Sequence, residues 1–147
     1  MPPIRVLIVE DNPLRLQRLQ AWVPDVNFVW AKSAGMALGI LERDRGAVYY
    51  ALMLDHDLDT SAVVPSDRSM DGRDVVASVI RNMSTATPVL VHSTNREYAA
   101  VMVERLQHAG FYVEHISMND LTKARLKEFL AYAKDVWDHP SGGISDG

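Results

Sequence analysis

Tyr49-Tyr50-Ala51-Leu52-Met53-Leu54-Asp55-His56-Asp57 runs from nearly continuous apolar residues straight into acid, imidazole and acid. An apolar run without polar alternation is the pattern of a strand covered on both faces, which parallel sheets provide and half-solvated antiparallel sheets do not. Two other stretches repeat the plan: Val6-Leu7-Ile8-Val9 opens into Glu10-Asp11, and Val89-Leu90-Val91 opens into His92-Ser93-Thr94-Asn95. If all three are parallel strands, their carboxyl ends meet at one sheet edge, where open α/β folds place their ligand sites. Glu10, Asp11, Asp55, Asp57, His56, His92 and Ser93 then share one crevice.

Working outward, segments of strand and helix character alternate five times, the signature of a parallel sheet with crossover helices. A first strand is expected over residues 5–9. Asn12-Pro13 then supplies an N-cap and a proline at the first helical position, opening a helix that runs to about Trp22. Residues 26–31 read as a short strand, and Ser33 caps a helix with Ala37, Ile40 and Leu41 at helical spacing. Residues 57–72, rich in Asp, Ser, Thr and Pro, should be a long loop. The next helix starts near Asp71-Gly72 and carries Val75, Val76, Val79, Ile80 and Met83; residues 88–91 form the fourth strand. Asn95 caps a helix that Gly110 stops. A fifth strand is expected over 111–116, and a last helix opens at Asn119 or Asp120 and carries Leu126, Phe129, Leu130, Ala133 and Trp137. The fold class is therefore α/β, a three-layer αβα sandwich around a five-stranded parallel sheet, over residues 1–137, with 138–147 a flexible tail.

The 147 residues suffice for one domain, and a hydrophobic content of 48% can fill its core without covalent staples. There is no cysteine, so disulfides and thiolate zinc sites are excluded. No signal-peptide core or membrane-spanning run is visible, and a cytoplasmic protein that does not engage the membrane is expected. A formal net charge of −4 argues against duplex DNA binding. A local patch from Arg15, Arg18, Arg96 and Arg105 still leaves room for a small phosphorylated ligand.

Several oxygen donors with few competing nitrogen or sulfur ligands suit a hard divalent cation held by few carboxylates and several waters. Mg²⁺ is the first choice and Mn²⁺ the second, with Glu10, Asp11 and Asp55 as ligands. Glu10 and Asp11 could instead serve only the dipole of the following helix. An imidazole flanked by Asp55 and Asp57 can donate a proton to a leaving oxygen. Strand alternation, however, would turn His56 away from both neighbours and leave it a packed core histidine. His92 adds a second imidazole, and Asn95 has an equally good structural role as a cap. Thr94 is read as structural, and His108, His115 and His139 as surface residues.

The acidic pair Glu10-Asp11, the third-strand Asp55, and Ser93 after the fourth strand resemble the receiver domain of two-component response regulators, of flavodoxin-like fold, over about residues 4–137. That resemblance implies Mg²⁺ on the three acids, a phosphoryl group accepted by Asp55, and contact from Ser93. Ser117 stands about where such a receiver carries its lysine. More specifically, Leu54-Asp55-His56-Asp57-Leu58 and His92-Ser93-Thr94-Asn95, with Asp11 and Arg15 upstream and Gly72 downstream, resemble the cyclic-phosphate processing receiver domain family. In that family a proline and glycine tend to follow the asparagine; here Arg96-Glu97-Tyr98 follow.

This second resemblance implies a metal-dependent phosphoesterase acting on a cyclic phosphate, either a small nucleotide or a 2′,3′-cyclic RNA end. His92, His56, Asp57 and Asp55 would be catalytic. Arg15, Ser93 and Asn95 would bind substrate, and Glu10, Asp11 and Asp55 the metal. The alternative is a single-domain receiver phosphorylated on Asp55, with a sensor kinase and an output protein as partners. A third expectation is an interaction module that keeps the fold without activity.

Overall fold

The strands and helices alternate without exception along the described chain: β1 (Arg5–Val9), α1 (Pro13–Trp22), β2 (Asn27–Ala31), α2 (Ala34–Arg43), β3 (Tyr49–Leu54), α3 (Gly72–Asn82), β4 (Val89–Val91), α4 (Arg96–His108), β5 (Val113–His115) and α5 (Lys123–Asp138). A computed structural model gives this structure and describes residues 4–56 and 71–140. All strand pairs are parallel, in the order β2-β1-β3-β4-β5. This is the flavodoxin-like order, whose direction of winding reverses between β1 and β3.

Alternation along the strands builds two cores. Leu7, Val9, Leu52, Leu54, Val89 and Val91 pack against α2, α3 and α4. Val6, Ile8, Ala51, Met53 and Leu90 face α1 and α5, including Leu16, Leu19, Phe129 and Leu130. Every residue of β3 is buried, as its composition requires. Each such aliphatic side chain contributes roughly 1.5–3 kcal/mol by leaving water, enough together to fix the register that brings the strand ends level.

Local chemistry sets most helix starts. Asn12 Oδ1 accepts from the amides of Leu14 and Arg15 at 2.9 and 3.3 Å, and Ser33 Oγ from that of Met36 at 3.1 Å. Asn95 Oδ1 accepts from the Tyr98 amide at 3.2 Å. Gly110, at φ 101°, takes the left-handed conformation that ends α4.

The last helix corrects an expectation. It starts at Lys123, with the Thr122 hydroxyl accepting from Arg125 N at 3.2 Å, and not at Asn119 or Asp120. Those two residues lie in a turn in which the amides of Asp120 and Leu121 both donate to Ser117 O. Its end also differs, because the helix continues through Asp138. Strand β5 is shorter than residues 111–116. The long loop expected over 57–72 lies mostly outside the described residues, as does the tail beyond 140.

Candidate functional site

β1 and β3 end side by side at the switch point, so the residues that follow them are brought together by topology. Asp55 N donates to Val9 O at 3.2 Å and His92 N to Leu54 O at 2.9 Å, carrying the backbone ladder one residue past each strand. A crevice of about 490 Å³ opens there, lined by Asp11, Asn12, Pro13, Leu14, Arg15, Asp55 and Thr94.

Beneath the crevice lies a buried contact between a carboxylate and an imidazole. His92 Nε2 is 3.0 Å from Glu10 Oε1, and both side chains are wholly inaccessible. Glu10 Oε2 accepts from the Asn12 amide at 3.1 Å and lies 3.7 Å from Arg15 Nη1. Burial pushes the Glu10 carboxyl up, but the hydrogen bond and charge of His92, the Asn12 amide and Arg15 outweigh it and hold it below the ordinary carboxylate value. An ionised Glu10 accepts only, so the proton of this contact resides on His92 Nε2. His92 Nδ1 is buried without a hydrogen-bond partner among the described residues.

Asp55 is displaced in the opposite direction. Burial, together with the neighbouring charge of Glu10, raises its carboxyl above the ordinary value against the pull of His92, the His56 amide and Arg15. The His56 amide donates to Asp55 Oδ1 at 2.8 Å, and Arg15 Nη1 stands 3.7 Å from Oδ2. One guanidinium thus faces both carboxylates from the crevice wall.

Glu10, Asp55 and His92 each bring one ligand atom within 4.8 Å of the others. In that trio the Glu10 oxygens and His92 Nε2 are already engaged by each other, Asn12 and Arg15. Asp11 and Asp55 both line the polar crevice. Two carboxylates beside a crevice with room for water are a donor set that fits Mg²⁺ or Mn²⁺.

The remaining candidates sort by accessibility. Ser93 is buried, and its Oγ accepts from the Asn95 amide at 3.2 Å, so the neighbouring Thr94, read from sequence as structural, is the hydroxyl residue that lines the crevice. Asn95 is half-buried and caps α4 through Oδ1. His56 is buried, with Nε2 3.7 Å from Asp71 Oδ2 and its ring stacked on Tyr98. Asp71 closes a capping box with Asp74 at the start of α3 and is held below the ordinary carboxylate value: burial raises it, but Arg73 and the charge of His56 prevail. Asp57 lies outside the described residues. His115 is exposed, as expected of a surface residue; it closes β5, and its Nε2 is 3.0 Å from Ser93 O. The sequence marked Asp71 only as a helix start and Thr94 as structural, and nothing in it marked Tyr98; Asp71 and Tyr98 reach His56 through the packing of α3 and α4.

Comparison with known proteins agrees with this architecture. The family model of the cyclic-phosphate processing receiver domain matches residues 6–108. Response regulator SSK1 of Verticillium dahliae is 29% identical over 97 residues, 66% of this chain and 12% of that protein, so the chain spans only a small part of this curated relative. The crystal structure of a CheY-like response regulator receiver domain protein from Methanospirillum hungatei JF-1 superposes with a TM-score of 0.69 at 15% identity, covering 95% of this chain and 99% of the other. The Mn²⁺-bound form of response regulator Rcp1 gives a TM-score of 0.61 at 18% identity, covering 86% and 89%. At those identities the shared property is the fold. Among the described residues no helix is long and apolar enough to cross a membrane.

Proposed function

The chain belongs to the cyclic-phosphate processing receiver domain family, and we propose that it is a divalent-metal-dependent phosphoesterase that opens a cyclic phosphate, on a nucleotide or a 2′,3′-cyclic RNA end. The observation that carries this reading is the convergence of Asp11, Arg15, Asp55 and Thr94 on one crevice directly above a buried Glu10–His92 pair. Asp11 and Asp55 would hold Mg²⁺ or Mn²⁺, which supplies a Lewis acid for a phosphoryl oxygen and a water of lowered pKa. Manganese in one structural relative of the same fold supports that choice.

Water adds to phosphorus, the bond from phosphorus to one ribose oxygen breaks, and that oxygen takes up a proton, leaving a phosphomonoester. Arg15 neutralises the phosphate with a planar fork suited to two of its oxygens, and Thr94 donates from the facing wall. His56, the residue after Asp55, is the proton donor, with Asp71 near its Nε2 to orient it. His92 is turned inward to Glu10. It acts as a positioning residue, fixing the carboxylate that in turn holds the Asn12 amide and faces Arg15. Ser93 and Asn95 shape the β4–α4 loop that presents Thr94.

Purified protein incubated with nucleoside 2′,3′-cyclic phosphates and Mg²⁺ or Mn²⁺ should release phosphomonoesters, and the His56→Ala, His92→Ala double variant should not. Full activity in that variant, or an untouched panel, overturns the proposal. A second reading is favoured by the place of Asp55 on the crevice wall and the likeness to response regulators: Asp55 accepts a phosphoryl group from a sensor kinase or small donor and signals to an output protein. Intact mass after acetyl phosphate and Mg²⁺ separates the two. A stable adduct of about 80 Da, the mass of a phosphoryl group, lost in Asp55→Asn, would establish the second.

A further inference from the structure

Tyr98 lies flat on His56, with ring centroids 3.9 Å apart and planes inclined by 12°. The lower ring is fixed. His56 is 4% exposed, its amide donates to Asp55, and its Nε2 faces Asp71. Gly72 N donates to His56 O at 3.3 Å, and a Cβ at Gly72 would come within 2.6 Å of His56 Cα, so α3 presses on this residue from behind. The backbone that carries the upper ring is anchored as well, because the Tyr98 amide is the donor to the Asn95 cap in the first turn of α4. Yet Tyr98 keeps 41% of its surface exposed. A partly exposed aromatic ring is thus stacked on the imidazole of the residue that follows Asp55, the carboxylate that lines the crevice.

We propose that Tyr98 is a stacking platform for the base of a nucleoside cyclic phosphate whose phosphate is held by Arg15 in the crevice. This inference rests on the phosphoesterase reading and adds to it the residue that recognises the base. Base-on-aromatic stacking tolerates any base because every base has a π face. The platform therefore selects for the presence of a base and only weakly among bases. The backing imidazole matters to the energetics, since a ring already ordered in the unbound protein loses little side-chain freedom when a base arrives.

Titration calorimetry with Mg²⁺ tests this on the full chain, using adenosine 2′,3′-cyclic phosphate and glycerol 1,2-cyclic phosphate as probes. The nucleoside compound should bind about tenfold or more tightly, within the range that stacking one base provides. Tyr98→Phe should keep that ratio. Tyr98→Leu, which preserves apolar packing on His56 but has no π face, should bring the two ligands to within about twofold, with thermal melts showing that each variant is folded. Equal affinities in the unsubstituted protein, or an unreduced ratio in Tyr98→Leu, would overturn the platform while leaving the phosphoesterase reading standing. Failure of both ligands to bind with either Mg²⁺ or Mn²⁺ would overturn that reading and the platform with it.

Discussion

Glu10 and His92, 82 residues apart in the chain, meet at 3.0 Å in a wholly buried contact beneath the crevice. Removing one partner of such a pair strands the other in a medium that cannot solvate it, at about 3–5 kcal/mol. His92→Ala should therefore lower the melting temperature by roughly 6–20 °C, at about 2–4 °C per kcal/mol for a chain of this size. The double replacement Glu10→Leu, His92→Leu should recover much of that loss, because neither polar group is then left buried without the other. Additive losses in the double variant would contradict the pairing.

The same pair gives the protein an acid-side sensitivity. Glu10 is held below its ordinary value of 4.5 in the fold, so the stability it contributes is complete above that value and disappears as pH falls through the folded pKa. Urea unfolding between pH 6 and about 2.5 should show a decline below roughly pH 4.5 that is shallower in Glu10→Gln. Parallel declines in the two proteins would mean that other groups govern acid unfolding.

Asp55 behaves in reverse. Its carboxyl is raised in the fold by burial first and by Glu10, so at neutral pH the ionised form subtracts from stability, and that cost is relieved as pH falls through the folded pKa. Asp55→Asn should melt a few degrees higher than the natural chain near pH 7, on the scale of about 2–4 °C per kcal/mol. A cation on Asp11 and Asp55 would relieve the same charge: Mg²⁺ at 100 times its Kd adds about 2.7 kcal/mol, or roughly 5–10 °C, to the natural chain and little to Asp55→Asn. Equal melting temperatures with and without saturating Mg²⁺ would remove the metal from the site.

Gly72 is required for space and not for a left-handed backbone. An added methyl would meet His56 Cα at 2.6 Å and Asp55 O at 3.1 Å, both main-chain atoms that cannot swing aside. Gly72→Ala should lose about 1–3 kcal/mol, typical of overpacking, as a lower urea midpoint at unchanged slope. An unaltered midpoint would show that α3 moves freely relative to the end of β3.

How much of this was legible in the sequence follows from the range of the interactions. Asn12, Ser33 and Asn95 cap their helices as their local pattern predicts, because capping joins atoms two or three residues apart. The continuous apolar run of β3 likewise announces a central strand. Near α5 the same reasoning went astray: Asn119 and Asp120 have cap chemistry, but the Met118 amide is drawn to His92 O and Ser117 O collects the next turn, leaving Thr122 as the cap. The site divides in the same way. Its location at the strand ends was readable, whereas the inward turn of His92, the burial of Ser93 beside an exposed Thr94, and the stack of His56 on Tyr98 depend on partners tens of residues away.

Arg15 faces both buried carboxylates of the crevice. Its Nη1 stands 3.7 Å from both Glu10 Oε2 and Asp55 Oδ2, and it is among the influences that pull the Asp55 carboxyl down against burial. A bound phosphate would draw on the same guanidinium, so its loss acts twice. Without a charge-assisted contact worth about 1.5–3 kcal/mol, Arg15→Ala should reduce kcat/KM roughly 10–150-fold, and Arg15→Lys should restore only part, since an ammonium lacks the planar fork. Asp55, relieved of one neighbouring positive charge, should also ionise at higher pH. If its carboxylate is needed to hold the cation, the acidic limb of the kcat/KM profile must move upward in Arg15→Ala and return toward its original place in Arg15→Lys. A limb that stays fixed in both variants would separate Arg15 from Asp55 and leave the guanidinium a role in phosphate binding alone.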